Sequence, residues 1–123
     1  MIQFKNVRKS FDKRVILNDL NFTIDSGNLV TLIGESGCGK TTTLKMINRL
    51  LEPTSGQILI NGKDIMKENV IRLRRSMGYV IQSTGLFPHM TIHQNIELIE
   101  RLEKRDGESI TKRTAELMDM VNM

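Results

Sequence analysis

Residues 34–42, Gly34-Glu35-Ser36-Gly37-Cys38-Gly39-Lys40-Thr41-Thr42, fit the pattern G-x-x-x-x-G-K-[ST] without a gap. A segment of this kind cradles phosphate. An anion with several charges must be held after it loses water, and backbone N–H groups that no side chain obstructs can hold it. Gly34, Gly37 and Gly39 give that access, and Glu35, Ser36 and Cys38 supply further amides. The pattern also constrains its surroundings, because the loop has to leave a buried strand and enter a helix whose free amides and positive dipole end face the same anion.

The flanking sequence meets both conditions. Leu29-Val30-Thr31-Leu32-Ile33 is a short apolar run of the buried parallel-strand type, and Thr42 to Leu51 carries Leu44, Ile47 and Leu51 at helical spacing. With that order, Lys40 is expected to reach the β and γ oxygens of a polyphosphate, Thr41 to set its hydroxyl on Mg²⁺, and Thr42 to bond the α-phosphate. Cys38 is the one cysteine of the chain, which excludes an internal disulfide framework and fits a reducing compartment. Its default reading is a small residue that fits the loop, although a thiol beside Lys40 at a helix N-terminus is also placed for reactivity.

A chain of 123 residues allows one modest domain, and 39% hydrophobic with 26% charged residues is an ordinary globular composition. The net charge of +4 does not point to nucleic acid, since Lys and Arg are scattered and one Tyr and four Phe leave little for base stacking along a strand. No apolar core of signal-peptide length opens the sequence, and no later run reaches the roughly 18 residues that span a bilayer. The expected location is therefore cytosolic.

Elsewhere the pattern changes period. Ile2 and Phe4, then Leu20, Phe22 and Ile24, alternate with polar residues, which predicts half-buried strands of an antiparallel sheet. Phe11 lies between them in a polar stretch read as a loop, where its ring either tucks against the core edge or stacks on a nucleotide base. Asp25-Ser26-Gly27-Asn28 predicts a turn, and Gln57 to Ile60 before Asn61-Gly62 predicts a strand entering a tight turn. Lys67–Arg75 reads as a short surface helix whose Arg72, Arg74 and Arg75 form a solvated face. Met77-Gly78-Tyr79-Val80-Ile81 reads as a second buried strand ending at Gln82, where open α/β sheets bind ligands. Thr91-Ile92-His93-Gln94 has the form of a capping box, and a helix with Ile92, Ile96 and Ile99 on one side is expected after it. A last helix follows the break at 105–108, with Ile110, Leu117, Met118 and Val121 on one face. His89 and His93 lack partners at metal-ligand spacing and read as exposed loop and first-turn residues.

Taken in order, these parts resemble the ATP-binding subunit of ABC transporters, from its first strand to partway through its helical subdomain. The resemblance implies that Phe11 is the adenine-stacking aromatic and that Gln82 is the glutamine that approaches Mg²⁺ and the attacking water. It implies ATP and Mg²⁺ as ligands, with Lys40 and Gln82 in catalytic roles and Thr41 and Gln82 at the metal. A transmembrane permease subunit, a second ATP-binding subunit and, indirectly, a substrate-binding protein are the implied partners, at the cytoplasmic face of a bacterial membrane. Leu86-Phe87-Pro88-His89-Met90-Thr91 looks like the importer segment beside the groove that receives the permease. Lys45 to Leu50, Glu52 to Gly56 and Gly78 to Gln82 look most like the glycine betaine, carnitine and choline group of osmoprotectant importers.

The fold class expected is α/β, a partial P-loop NTPase core with an N-terminal antiparallel β-subdomain and the start of the helical subdomain. In this division residues 1–28 and 56–65 form the β-subdomain, 29–55 and 66–82 the P-loop core, and 83–123 the glutamine loop and first helical segments. The family's L-S-G-G-Q signature, its apolar run ending in Asp-Glu and its switch histidine do not occur in the 123 residues. The expectation is accordingly an N-terminal portion of an importer ATPase that binds MgATP weakly at most and does not turn it over. Two alternatives stay open: a non-catalytic module that docks on the permease or on an intact ATPase subunit, and another P-loop enzyme such as a small-molecule kinase.

Overall fold

A computed structural model describes residues 1–81 and 85–122. The chain divides into two compact units, Met1–Tyr79 and Val80–Met123.

The first unit is built on a four-stranded antiparallel sheet. Its strands are β1 (Ile2–Phe11), β2 (Arg14–Ile24), β3 (Ser55–Ile60) and β4 (Lys63–Asp64), in the spatial order β2-β1-β3-β4. Period-two alternation becomes rows of apolar side chains across this sheet. Phe22, Phe4 and Ile58 lie in register in one row, and Ile24, Ile2 and Ile60 in the next. The Phe4 and Phe22 rings stack with centroids 4.4 Å apart.

A strict alternation from Phe4 would turn Val7 outward, yet Val7 is fully buried. The ladders to both neighbours slip between Phe4 or Lys5 and the residues after them, and Asn6 adopts φ 49° at that point. This bulge restores Val7 to the buried face.

Helix α1 (Lys40–Ile47) and helix α2 (Val70–Arg75) complete the core, with Met46 and Leu73 buried against Phe4, Val7, Ile58 and Ile65. The buried face of α1 is Thr43 and Met46, whereas Leu44 is exposed, so the expected Leu44-Ile47-Leu51 face is corrected. The helix stops at Ile47: Asn48 is its C-cap and Arg49 turns left-handed at φ 53°, which takes Leu51 off the helix although it still packs on the core.

The two buried strands expected at 29–33 and 77–81 are not formed. Leu29 is 97% and Ile33 92% exposed, and Val80 is 96% exposed. A parallel strand exists through the ladder bonds of its neighbours, and no strand among the described residues pairs with either segment. Of the apolar residues in 77–81, Met77 packs against the core.

In the second unit, α3 (Ile92–Leu102) and α4 (Gly107–Met120) pack as a helical hairpin. Thr91 and Gln94 form the reciprocal capping box that starts α3. Asn95 bonds the backbone of Phe87, Met90 and Thr91 and so shapes the loop that leads in. Ile110 of α4 is buried, while Ile92 and Ile99 of α3 are exposed.

Candidate phosphate-binding site

The glycine-rich segment is the approach to α1. Residues Gly34 to Cys38 are exposed, Gly39 is buried, and the helix begins at Lys40. The Lys40 ammonium donates to the carbonyls of Gly34 and Glu35, both at 2.7 Å, and lies 3.6 Å from the Cys38 sulfur. One positive charge is thus centred on the loop. Cys38 N–H donates to Glu35 O at 3.3 Å and closes a turn, and Thr43 bonds Gly39 O through both its N–H (2.8 Å) and its hydroxyl (3.0 Å).

The N-terminus of α1 differs from the other helix starts. Asn69, Thr91 and Asp106 cap α2, α3 and α4 with a side-chain oxygen, but Gly39 caps α1 with no side chain at all. Its φ of 100° is left-handed, and a Cβ there would sit 2.7 Å from Leu17 Cδ2 and 3.3 Å from Ile16 Cγ2. Only glycine combines that conformation with that approach. The contact also seats the loop directly on β2. At Gly34 both backbone and space favour glycine, since φ is 158° and a Cβ would meet the Cys38 sulfur at 2.8 Å. A helix start without a side-chain cap, a centred ammonium and a loop trimmed of side chains suit an anion. The exposed Thr41 and half-buried Thr42 follow on the first turn.

One residue with an implied role, Phe11, stands apart from this loop. Phe11 is the last residue of β1, paired with Arg14 across the hairpin tip rather than lying in a free loop, and the residue is 44% exposed. Gln82 lies outside the described residues. Cys38 is a free, exposed thiol. His89 and His93 are exposed, and no group of three potential metal ligands occurs among the described residues.

Two arginines hold the opposite end of α1. Arg74 is exposed, as expected of a solvated face, and also donates from Nε to Asn48 O (3.1 Å) and from Nη2 to Arg49 O (2.6 Å). Arg49 in turn donates from Nη1 to Ile65 O and Glu68 O and pairs with Glu52 at 3.0 Å. No local sequence signal marks Arg74 for this role, because the carbonyls it reaches lie about 25 residues upstream.

The ABC transporter family model matches residues 17–123. The chain belongs to the ABC transporter family, and its fold is a partial P-loop ATPase cassette of the α/β class with an antiparallel β-subdomain and the beginning of the helical subdomain. Among its relatives, the carnitine transport ATP-binding protein OpuCA of Listeria monocytogenes is 52% identical over 124 residues, covering 100% of this chain and 31% of the relative. The choline transport ATP-binding protein OpuBA of Bacillus subtilis is 48% identical, with 100% and 32% covered. The osmoprotectant import ATP-binding protein OsmV of Salmonella typhimurium is 46% identical, with 98% and 33% covered. The chain therefore spans about a third of the length of the curated relatives it matches. The dimeric bacterial ABC transporter cassette MJ0796 superposes with a TM-score of 0.87 at 31% identity, over 100% of this chain and 58% of that one. The same cassette in a post-hydrolysis state bound to ADP and Pi gives 0.85 at 30% identity, with the same coverage. No helix among the described residues is long and apolar enough to cross a membrane.

Proposed function

We propose that this chain forms the nucleotide-binding portion of an importer ATPase that energises uptake of a small solute, of the quaternary ammonium osmoprotectant class, through a membrane permease. The observation that carries the reading is the Lys40 ammonium centred on the loop of residues 34–39, at the one described helix start that no side chain caps. The solute class rests on the relatives named for carnitine, choline and osmoprotectant transport. The partners in this reading are the permease, a second ATP-binding subunit and, indirectly, a substrate-binding protein, with the subunit peripheral at the cytoplasmic face. The domain division at 28, 55, 65 and 82 belongs to the same proposal.

In this reading the backbone amides of Gly37 to Thr42 and the Lys40 ammonium bind the β- and γ-phosphates of ATP, and Phe11 stacks on the base. Positioning and charge neutralisation supply most of the catalysis in phosphoryl transfer, and Lys40 contributes to both. Thr41 suits Mg²⁺, because its hydroxyl is exposed on the first turn beside Lys40. When bound, the ion would supply positive charge that offsets the charge developing on the phosphates. Gln82 is the further residue assigned to that metal and to orienting water.

A groove in the second unit supports a docking role as well. Leu86, Phe87, Pro88, Met90, Ile92 and Ile96 line an open space of about 260 Å³ with mostly apolar walls. A module that only docks would keep this groove and lack nucleotide binding. Calorimetric titration with MgATP, accompanied by a circular-dichroism melt, separates the two. Saturable binding weakened about 100-fold in Lys40→Ala, with the melt unchanged, is expected for loss of a charge-assisted contact to phosphate. A folded chain that does not bind MgATP leaves the docking module as the reading.

A further inference from the structure

Phe11 stands at the tip of the β1–β2 hairpin, where an aromatic ring in solvent would sample several rotamers. Its surroundings restrict it. The Lys9 ammonium lies 4.8 Å from the ring centroid, over one face, and donates to the carbonyl of Glu52 at 2.8 Å. Lys9 is therefore anchored on a backbone carbonyl as well as on the ring, which separates it from the scattered lysines of the surface.

The same segment is stitched twice more. Ser10 N–H donates to Thr54 Oγ1 at 3.0 Å, and Thr54 N–H donates to Arg8 O at 2.8 Å. Residues 8–11 thus ride on residues 52–54, just past the end of α1. On the other strand of the hairpin, Ile16 and Leu17 abut Gly39 at the start of α1. The frame that carries the ring is tied to both ends of the phosphate-binding helix.

We infer that Lys9 is a positioning residue for base recognition: clamped between Glu52 O and one face of Phe11, it fixes the ring and leaves the opposite face for a stacked nucleobase. The inference rests on the reading of Phe11 as the base-stacking aromatic. Lys9 touches neither base nor phosphate in this assignment. It acts through the ring, by the attraction of a cation to the negative π face.

The experiment compares affinities for MgATP and for magnesium tripolyphosphate, which has the phosphates and no base, by calorimetry on the full chain. Lys9→Met keeps most of the side chain and removes the charge. The expected result is a two- to fivefold loss, roughly, of ATP affinity with tripolyphosphate unchanged, and no further loss when Lys9→Met is added to Phe11→Ala. Lys9→Arg, which keeps the cation, is expected to restore the wild-type ratio of the two affinities.

A Lys9→Met variant with the wild-type ratio, alongside a weakened Phe11→Ala, overturns the inference and leaves the base-stacking reading standing. Equal losses for both probes overturn it too, because Lys9 would then act on phosphate charge or on the fold. Undiminished ATP binding by Phe11→Ala removes the base-stacking reading and the inference with it. A wild-type chain that binds neither probe defeats the nucleotide reading itself.

Discussion

Asn6 and Asp19 face each other across the bulged part of the β1–β2 pair, and both adopt left-handed backbone, at φ 49° and 51°. Asn6 Nδ2 and Asn21 Nδ2 each donate to Asp19 Oδ1 at 2.9 Å, and Asn6 N–H donates to Asn21 Oδ1 at 2.7 Å. The hydrogen bond from Asn6, then that from Asn21, hold the Asp19 carboxyl below its usual range, only partly opposed by desolvation. A carboxylate favoured by the fold stabilises it above the unfolded-state pKa, and this contribution disappears as pH falls through the lower, folded one. The thermal midpoint of wild type should therefore drop more steeply below about pH 4 than that of Asp19→Asn, whose amide oxygen accepts the same bonds without titrating. Parallel pH dependences for the two would show that Asp19 contributes nothing to acid sensitivity. None of this trio could be read from the sequence, because their meeting depends on a register that the bulge sets. Gly39 is the opposite case: its place in the motif demanded glycine, and its contact with Leu17 adds a second reason that only the packing reveals.

Helix ends explain much of what was legible at the level of elements. The start of α3 followed from Thr91 and Gln94 because a capping box closes within four residues and needs no distant partner. The end of α1 did not, because its carbonyls are satisfied from α2, 25 residues downstream. Arg74 bonds two of them with the Nε and Nη2 edge of one guanidinium, a geometry that an ammonium cannot copy. Arg74→Ala is expected to lower stability by about 1 kcal/mol in urea unfolding, below the usual range for charged hydrogen bonds because the residue is exposed. Arg74→Lys should recover less than half of that. An Arg74→Ala chain with the wild-type urea midpoint would mean that water replaces the guanidinium at no cost. Phe11 shows the limit of composition as a guide: a polar neighbourhood suggested a loop, whereas cross-strand pairing to Arg14 extends β1 to its last possible residue.

At the scale of the molecule, the antiparallel sheet and the apolar run at 29–33 test different physics. Strand β1 lies between β2 and β3, so both of its edges are paired, and its amides should exchange with solvent only when the sheet opens. The run Leu29 to Ile33 has the composition of a core strand, which is why it was legible as one, yet composition provides burial only where neighbouring strands exist. Among the described residues it has no ladder partner, and the side chains of Leu29 and Ile33 stand almost wholly in water. Hydrogen–deuterium exchange should therefore separate the two regions within one chain, with the amides of 29–33 exchanging at least about 100-fold faster than those of Phe4 and Lys5 in β1. Adjacent exposed apolar residues of this size favour association, so the measurement belongs at several protein concentrations. Fast exchange throughout the range would confirm an unpaired segment beside a formed sheet. Protection at 29–33 that grows with concentration would show that copies of the chain supply the missing ladder, and protection independent of concentration would contradict the unpaired arrangement.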